Sequence, residues 1–179
     1  MSGRLSRSAC LLALSGLLLC GCAASGGGGT QTGPSGPALG QRTKTQGCTV
    51  QGALPDAPCT PGAVFTSATK GQICNPGYAK SVRNVPDSEK DQVYAEYGIS
   101  THRPGEYEVD HLVSLELGGS NDIANLWPEA AEPRPGYHEK DRYENYLHDQ
   151  VCRGELPLAE AQHRIATDWL QYWKAAGSP

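Results

Sequence analysis

The sequence predicts an α+β domain, mostly helical by count, held by two disulfides and placed behind an export segment and a linker. Three observations carry this. Two late segments repeat apolar residues every four positions, as amphipathic helices do. Between residues 106 and 127, β-type residues flank Gly118-Gly119-Ser120-Asn121-Asp122, the pattern of a hairpin. Four cysteines remain in the body of the chain once the N-terminal ones are set aside, an even number suited to an oxidising compartment.

The chain has 179 residues, enough for one domain. It opens with Arg4 and Arg7 ahead of an apolar run from Leu11 to Leu19, too short to span a bilayer comfortably. Leu19-Cys20-Gly21-Cys22 follows, and this pattern resembles the lipobox of bacterial lipoproteins. The resemblance implies cleavage after residue 21, lipidation of Cys22 and anchoring to a membrane. Ala23 rather than Asp after that cysteine implies outer-membrane sorting, facing the periplasm. An ordinary secretory signal cleaved near Ala23 or Ala24 is the alternative. Residues 23–47 are rich in Gly, Ser, Thr, Gln and Pro with almost no large apolar side chains. Such a stretch buries too little surface to offset its ordering entropy, and reads as a flexible tether. The domain is expected over 48–179.

Within that domain, 48–85 reads as loops and short extended pieces, with apolar patches at Ala63-Val64-Phe65 and from Tyr78 to Val85. Pro86 to Tyr97 reads as a helix: Pro in the first turn, Asp87 and Glu89 near its positive end, Gly98 as a stop. Glu106 to Leu117 is the first hairpin arm, with a short second arm near Asn125-Leu126-Trp127. Tyr143, Leu147 and Val151 mark a helix from Tyr137 to Cys152, and Ile165, Trp169 and Trp173 a second from Leu156 to Ala176. Trp127, Trp169 and Trp173 are expected in the core, and Glu108 and Glu116 in solvent. Of three possible pairings, Cys48–Cys59 closes a short loop and Cys74–Cys152 ties the start of the domain to a late helix. A zinc site is the rival use of these cysteines, but no CxxC pair or tight Cys/His cluster is visible. His102, His148 and His163 show no partner at ligand spacing. The net charge of −4 becomes two units more acidic once Arg4 and Arg7 are removed. The basic footprint usual in nucleic-acid binders is therefore absent.

The chemistry concentrates in Tyr107-Glu108-Val109-Asp110-His111-Leu112, Gly118-Gly119, Asn125-Leu126-Trp127-Pro128 and His138-Glu139-Lys140-Asp141. Asp110 offers oxygen to a hard cation and His111 a base near neutral pH. A returning turn would bring Asn125 to the His111 ring. From Tyr107 to about Tyr146 this order resembles the HNH endonuclease motif, a ββα-metal finger. Longer stretches, including Ile73-Cys74-Asn75-Pro76-Gly77-Tyr78 and Ala166-Thr167-Asp168-Trp169, are similar to a group of small exported bacterial proteins bearing it.

The resemblance implies an exported nuclease that hydrolyses phosphodiester bonds of DNA or RNA with a divalent metal (Mg, Mn, Ca or Zn). In it His111 is the general base and Asn125 orients that base. Asp110 is a metal ligand and His138 a second one, while Lys140 and Arg142 contact phosphate. The chain departs from the pattern in two ways. Its gap from Asn125 to His138 is long and holds Pro128, Pro133 and Pro135, and Arg142 stands one turn after His138 where a second histidine is usual. The alternative is a non-catalytic envelope lipoprotein that keeps the finger as a binding or structural module. No protein partner is evident.

Overall fold

The computed structural model describes residues 39–179, so the signal segment with Cys22, and the tether up to residue 38, lie outside it. Two short helices come first, α1 (Lys70–Ile73) and α2 (Tyr78–Val82), where the sequence suggested loops and short extended pieces. α1 forms because Thr69 and Gln72 cap it reciprocally, each side chain bonding the other's backbone. α3 (Asp87–Glu96) begins after Pro86, carries Asp87 and Glu89 in its first turn, and is followed by Gly98 at φ 71°.

β1 (Tyr107–His111) and β2 (Leu126–Ala130) form a two-stranded antiparallel sheet with Asp110 opposite Trp127, His111 opposite Leu126 and Glu108 opposite Glu129. Facing residues share a side of the sheet and alternate residues share it too. Glu108, Asp110, Trp127 and Glu129 therefore lie on one face, and His111 on the other. β1 stops at His111 rather than running to Leu117. Beyond it come two 3-10 turns, Leu115–Leu117 and Ile123–Asn125, capped by Ser114 and Asp122. Gly119 is required between them: a Cβ there would sit 1.7 Å from the Val113 carbonyl oxygen.

α4 (Tyr137–Arg153) and α5 (Leu158–Ala175) close the fold. Tyr143, Leu147 and Val151 of α4 meet Ala161, Ile165 and Trp169 of α5, with Ile73, Val113, Leu117 and Leu156 completing one core. Full burial of an aliphatic or aromatic side chain contributes about 1.5–3 kcal/mol, so this stripe is the main source of stability. α5 is interrupted at Asp168, which has extended dihedrals and accepts a hydrogen bond from Gln171 N, starting the helix afresh. The Trp169 indole donates to Ala53 O across a separation of 116 residues. Both expected disulfides are present, Cys48–Cys59 and Cys74–Cys152.

The ordered body begins before residue 48. Arg42 pairs with Glu96 and donates to Cys59 O, Thr43 N bonds Pro58 O, and Lys44 pairs with Asp56 at 2.8 Å. Arg42, Thr43 and Lys44, read from composition as tether, are thus docked by polar bonds that an apolarity count does not register. No helix among the described residues is long and apolar enough to cross a membrane.

Candidate active site

The end of β1, the returning loop before β2 and the first turns of α4 converge on Asp110 and His111. His111 is only 2% exposed. Its Nε2 lies 3.2 Å from Asn121 Oδ1. The Asn121 amide is fixed by its other bonds, donating from Nδ2 to Val82 O and accepting Asn84 N at Oδ1. Oδ1 can only accept, so Nε2 carries the proton and Nδ1 holds the lone pair. Nδ1 is bonded by no protein group among the described residues, and it is not among the side-chain atoms sealed without a partner. Burial pushes the imidazole pKa down to about 4, against the opposing pull of Asp110. The ring is therefore neutral at pH 7 and able to accept a proton at Nδ1.

Asn121, not Asn125, thus holds the ring. Asn125 is fully buried and spends its amide on backbone: Oδ1 accepts Ala63 N and Val113 N, and Nδ2 donates to Val113 O and Ser120 O. It pins the 113–125 loop against residue 63 and so shapes the platform on which Asp110 and His111 end. Both asparagines lie in the same loop, and spacing alone does not separate them.

Asp110 faces Lys140, which is 0% exposed and not at the surface as expected of a phosphate contact. The Lys140 ammonium donates to Asp110 Oδ2 at 2.6 Å, to His111 O at 2.7 Å and to Glu144 Oε1 one helical turn on. Glu129 Oε2 lies 3.9 Å away. Burial alone would raise the Asp110 carboxyl, but Lys140 holds it below the usual range. Burial would likewise discharge Lys140, and the surrounding carboxylates keep it charged. Glu144 is pushed up to about 7 by burial, and Glu129, fully buried, well above its ordinary range. Both Glu129 side-chain oxygens are sealed without a hydrogen-bond partner. Lys140 precedes Tyr143 and Leu147 by three and seven positions, on the apolar stripe of α4.

His138 is exposed at the start of α4 and stacks on Tyr137, with ring centroids 4.3 Å apart. It lies near Glu108 and Asp141. Arg142 is surface-lying and bonded to Glu139 at 3.1 Å. The sequence reading missed Arg83, an exposed cation after α2 whose charge acts on both His111 and Glu108. A lone arginine in the apolar 78–85 patch was the available signal. Glu116, expected in solvent, is half-buried, with Oε2 sealed and unbonded.

Among the described residues, the group of three or more His, Cys, Asp or Glu donors close enough to share a metal is Cys74, His148 and Cys152. Folding assembles this cluster from distant positions. Its sulfurs are joined as a disulfide, and His148 Nε2 lies 3.1 Å from Ile73 O. At Asp110 the Oδ2 oxygen is bonded to an ammonium, and His138 joins no close donor group among the described residues. Comparison with family models, with curated proteins and with solved structures finds no match.

Proposed function

We propose that this chain is an exported phosphodiester hydrolase acting on DNA or RNA through an HNH-like ββα unit made of β1, β2 and α4. The observation that carries the reading is His111: a neutral imidazole at a strand end, its tautomer fixed by Asn121, with Nδ1 left for a water. In the proposed step Nδ1 takes a proton from that water while its oxygen bonds to phosphorus. The bond from phosphorus to the leaving ester oxygen breaks, and solvent protonates that oxygen. Arg83, an exposed cation whose charge acts on His111, would offset the extra negative charge on the phosphate. The two disulfides suit an oxidising compartment, and anchoring through Cys22 belongs to the same proposal.

The experiment incubates the purified protein with plasmid DNA and with single-stranded RNA, with added Mg, Mn, Ca or Zn and with chelator. The parent should cleave, and His111→Ala should not. Equal cleavage by both proteins would overturn the assignment of the base. The near-complete burial of His111 favours the alternative of a non-catalytic envelope module, and a parent inert under every condition while still binding nucleic acid would establish that.

A further inference from the structure

We propose that the ε-ammonium of Lys140 fills the place beside Asp110 that the HNH resemblance gives to a divalent cation. The surroundings of Nζ are those of a hard ion: carboxylate oxygen from Asp110, carboxylate oxygen from Glu144 and the His111 carbonyl, with Glu129 behind them at 3.9 Å. An oxygen-only shell of carboxylates and a carbonyl is what Ca²⁺ or Mg²⁺ takes. Here it receives three N–H bonds from one side chain, which uses every donor an ammonium has.

The cation is built in. Lys140 is fully buried, and its stem lies on the apolar stripe of α4 beside Tyr143. A divalent ion bonded to the same Asp110 oxygen would have to displace a desolvated ammonium from its carboxylate partner, which is strongly unfavourable. The second ligand that the resemblance names, His138, is exposed and belongs to no close donor group among the described residues.

Lys140 is therefore a positioning residue. It never reaches solvent or substrate, but it bonds both the Asp110 carboxylate and the carbonyl of the residue that carries the base. Its permanent single charge replaces an exchangeable double one. The inference rests on the HNH-like reading only for what the position would otherwise hold, and its test reads metal occupancy rather than hydrolysis.

Sub-stoichiometric Mn²⁺ added to the isotope-labelled parent should leave the amide resonances of Asp110, His111 and Lys140 unbroadened. Titration followed by electron paramagnetic resonance should show the same Mn²⁺ binding for the parent and Asp110→Asn. Lys140→Ala, checked for folding by its melting transition, empties the cage and leaves Asp110, Glu129 and Glu144 facing one another. It should gain one Mn²⁺ per chain, lost again when Asp110→Asn is added. Selective broadening at Asp110 and His111 in the parent would overturn the proposal, as would a folded Lys140→Ala that binds no Mn²⁺. If Lys140→Ala does not fold, the parent's spectra alone decide.

Discussion

Replacing Asn125 with alanine separates a fold-building asparagine from a base-orienting one. The side chain makes four hydrogen bonds to buried backbone, two accepted and two donated. At about 1 kcal/mol net per bond, Asn125→Ala should lose about 4 kcal/mol of stability, and more where the stranded groups find no water. That is a large share of the roughly 5–15 kcal/mol that holds a domain together. Urea unfolding followed by fluorescence of the buried Trp127 and Trp169 is the assay, since neither ring stays in the core once the domain opens. With a slope of about 2 kcal/mol per molar urea, the midpoint should fall by about 2 M with the slope unchanged. Asn121→Ala is the comparison, because Asn121 is only half-buried and water can replace most of its bonds. It should cost about 1 kcal/mol while freeing the His111 ring. A loss below about 1 kcal/mol for Asn125→Ala would refute the reasoning, because it would mean that the 113–125 loop holds its shape without the amide.

The remaining expectations concern pH and crosslinks. His111 has a folded pKa near 4, below its ordinary value, so the unfolded chain takes up its proton first as pH falls. This residue's contribution is therefore present above about pH 6.5 and is lost on descent towards pH 4, to a limit of about 3 kcal/mol. Glu144, raised to about 7, acts in the opposite sense: it favours the folded state at low pH and loses that contribution as pH rises through 7. The His111 part is consequently read as the difference between the parent and His111→Asn in urea titrations from pH 4 to 7.5; equal slopes would contradict a buried neutral ring. For the disulfides, chain-closure entropy gives about 4.5 kcal/mol for Cys74–Cys152 and about 3 kcal/mol for Cys48–Cys59, from separations of 78 and 11 residues. Paired Cys→Ala variants should rank in that order by urea midpoint, and the reverse order would rule out loop length as the deciding factor.

Much of the scaffold was legible because it obeys local periodicity. The four-residue spacing of Tyr143, Leu147 and Val151 specifies the α4 stripe, and Gly118-Gly119 fixes a sharp reversal whatever surrounds it. Both disulfide pairings also followed from position in the chain. The site was less legible, since it depends on which polar groups end up sharing a buried space. Asn121 and Asn125 are four residues apart in one loop, and only the completed backbone decides that one meets an imidazole and the other four peptide groups. Lys140 looks like a surface cation by type, and its burial becomes reasonable only beside three carboxyl groups contributed by β1, β2 and α4. Residues 42–47 lack the apolar mass that marks a folded segment, yet Arg42 and Lys44 find carboxylates on the body. His148 stands one helical turn before Cys152, a spacing that could hold a ligand pair, but only the fold brings Cys74 to it.

The bond from the Trp169 indole to Ala53 O spans nearly the whole domain, so the order in which the chain becomes available matters. A polypeptide delivered N-terminus first, from a ribosome or through a translocation channel, presents residues 42–59 long before the last helix emerges. Until residue 169 has arrived, the loop around Ala53 lacks its donor and the α4 stripe lacks its cover. The emerging chain must then stay open over most of its length, with apolar surface exposed and Cys74 waiting for Cys152. Folding of such a chain is therefore a late event, completed only when its final turns are free to pack.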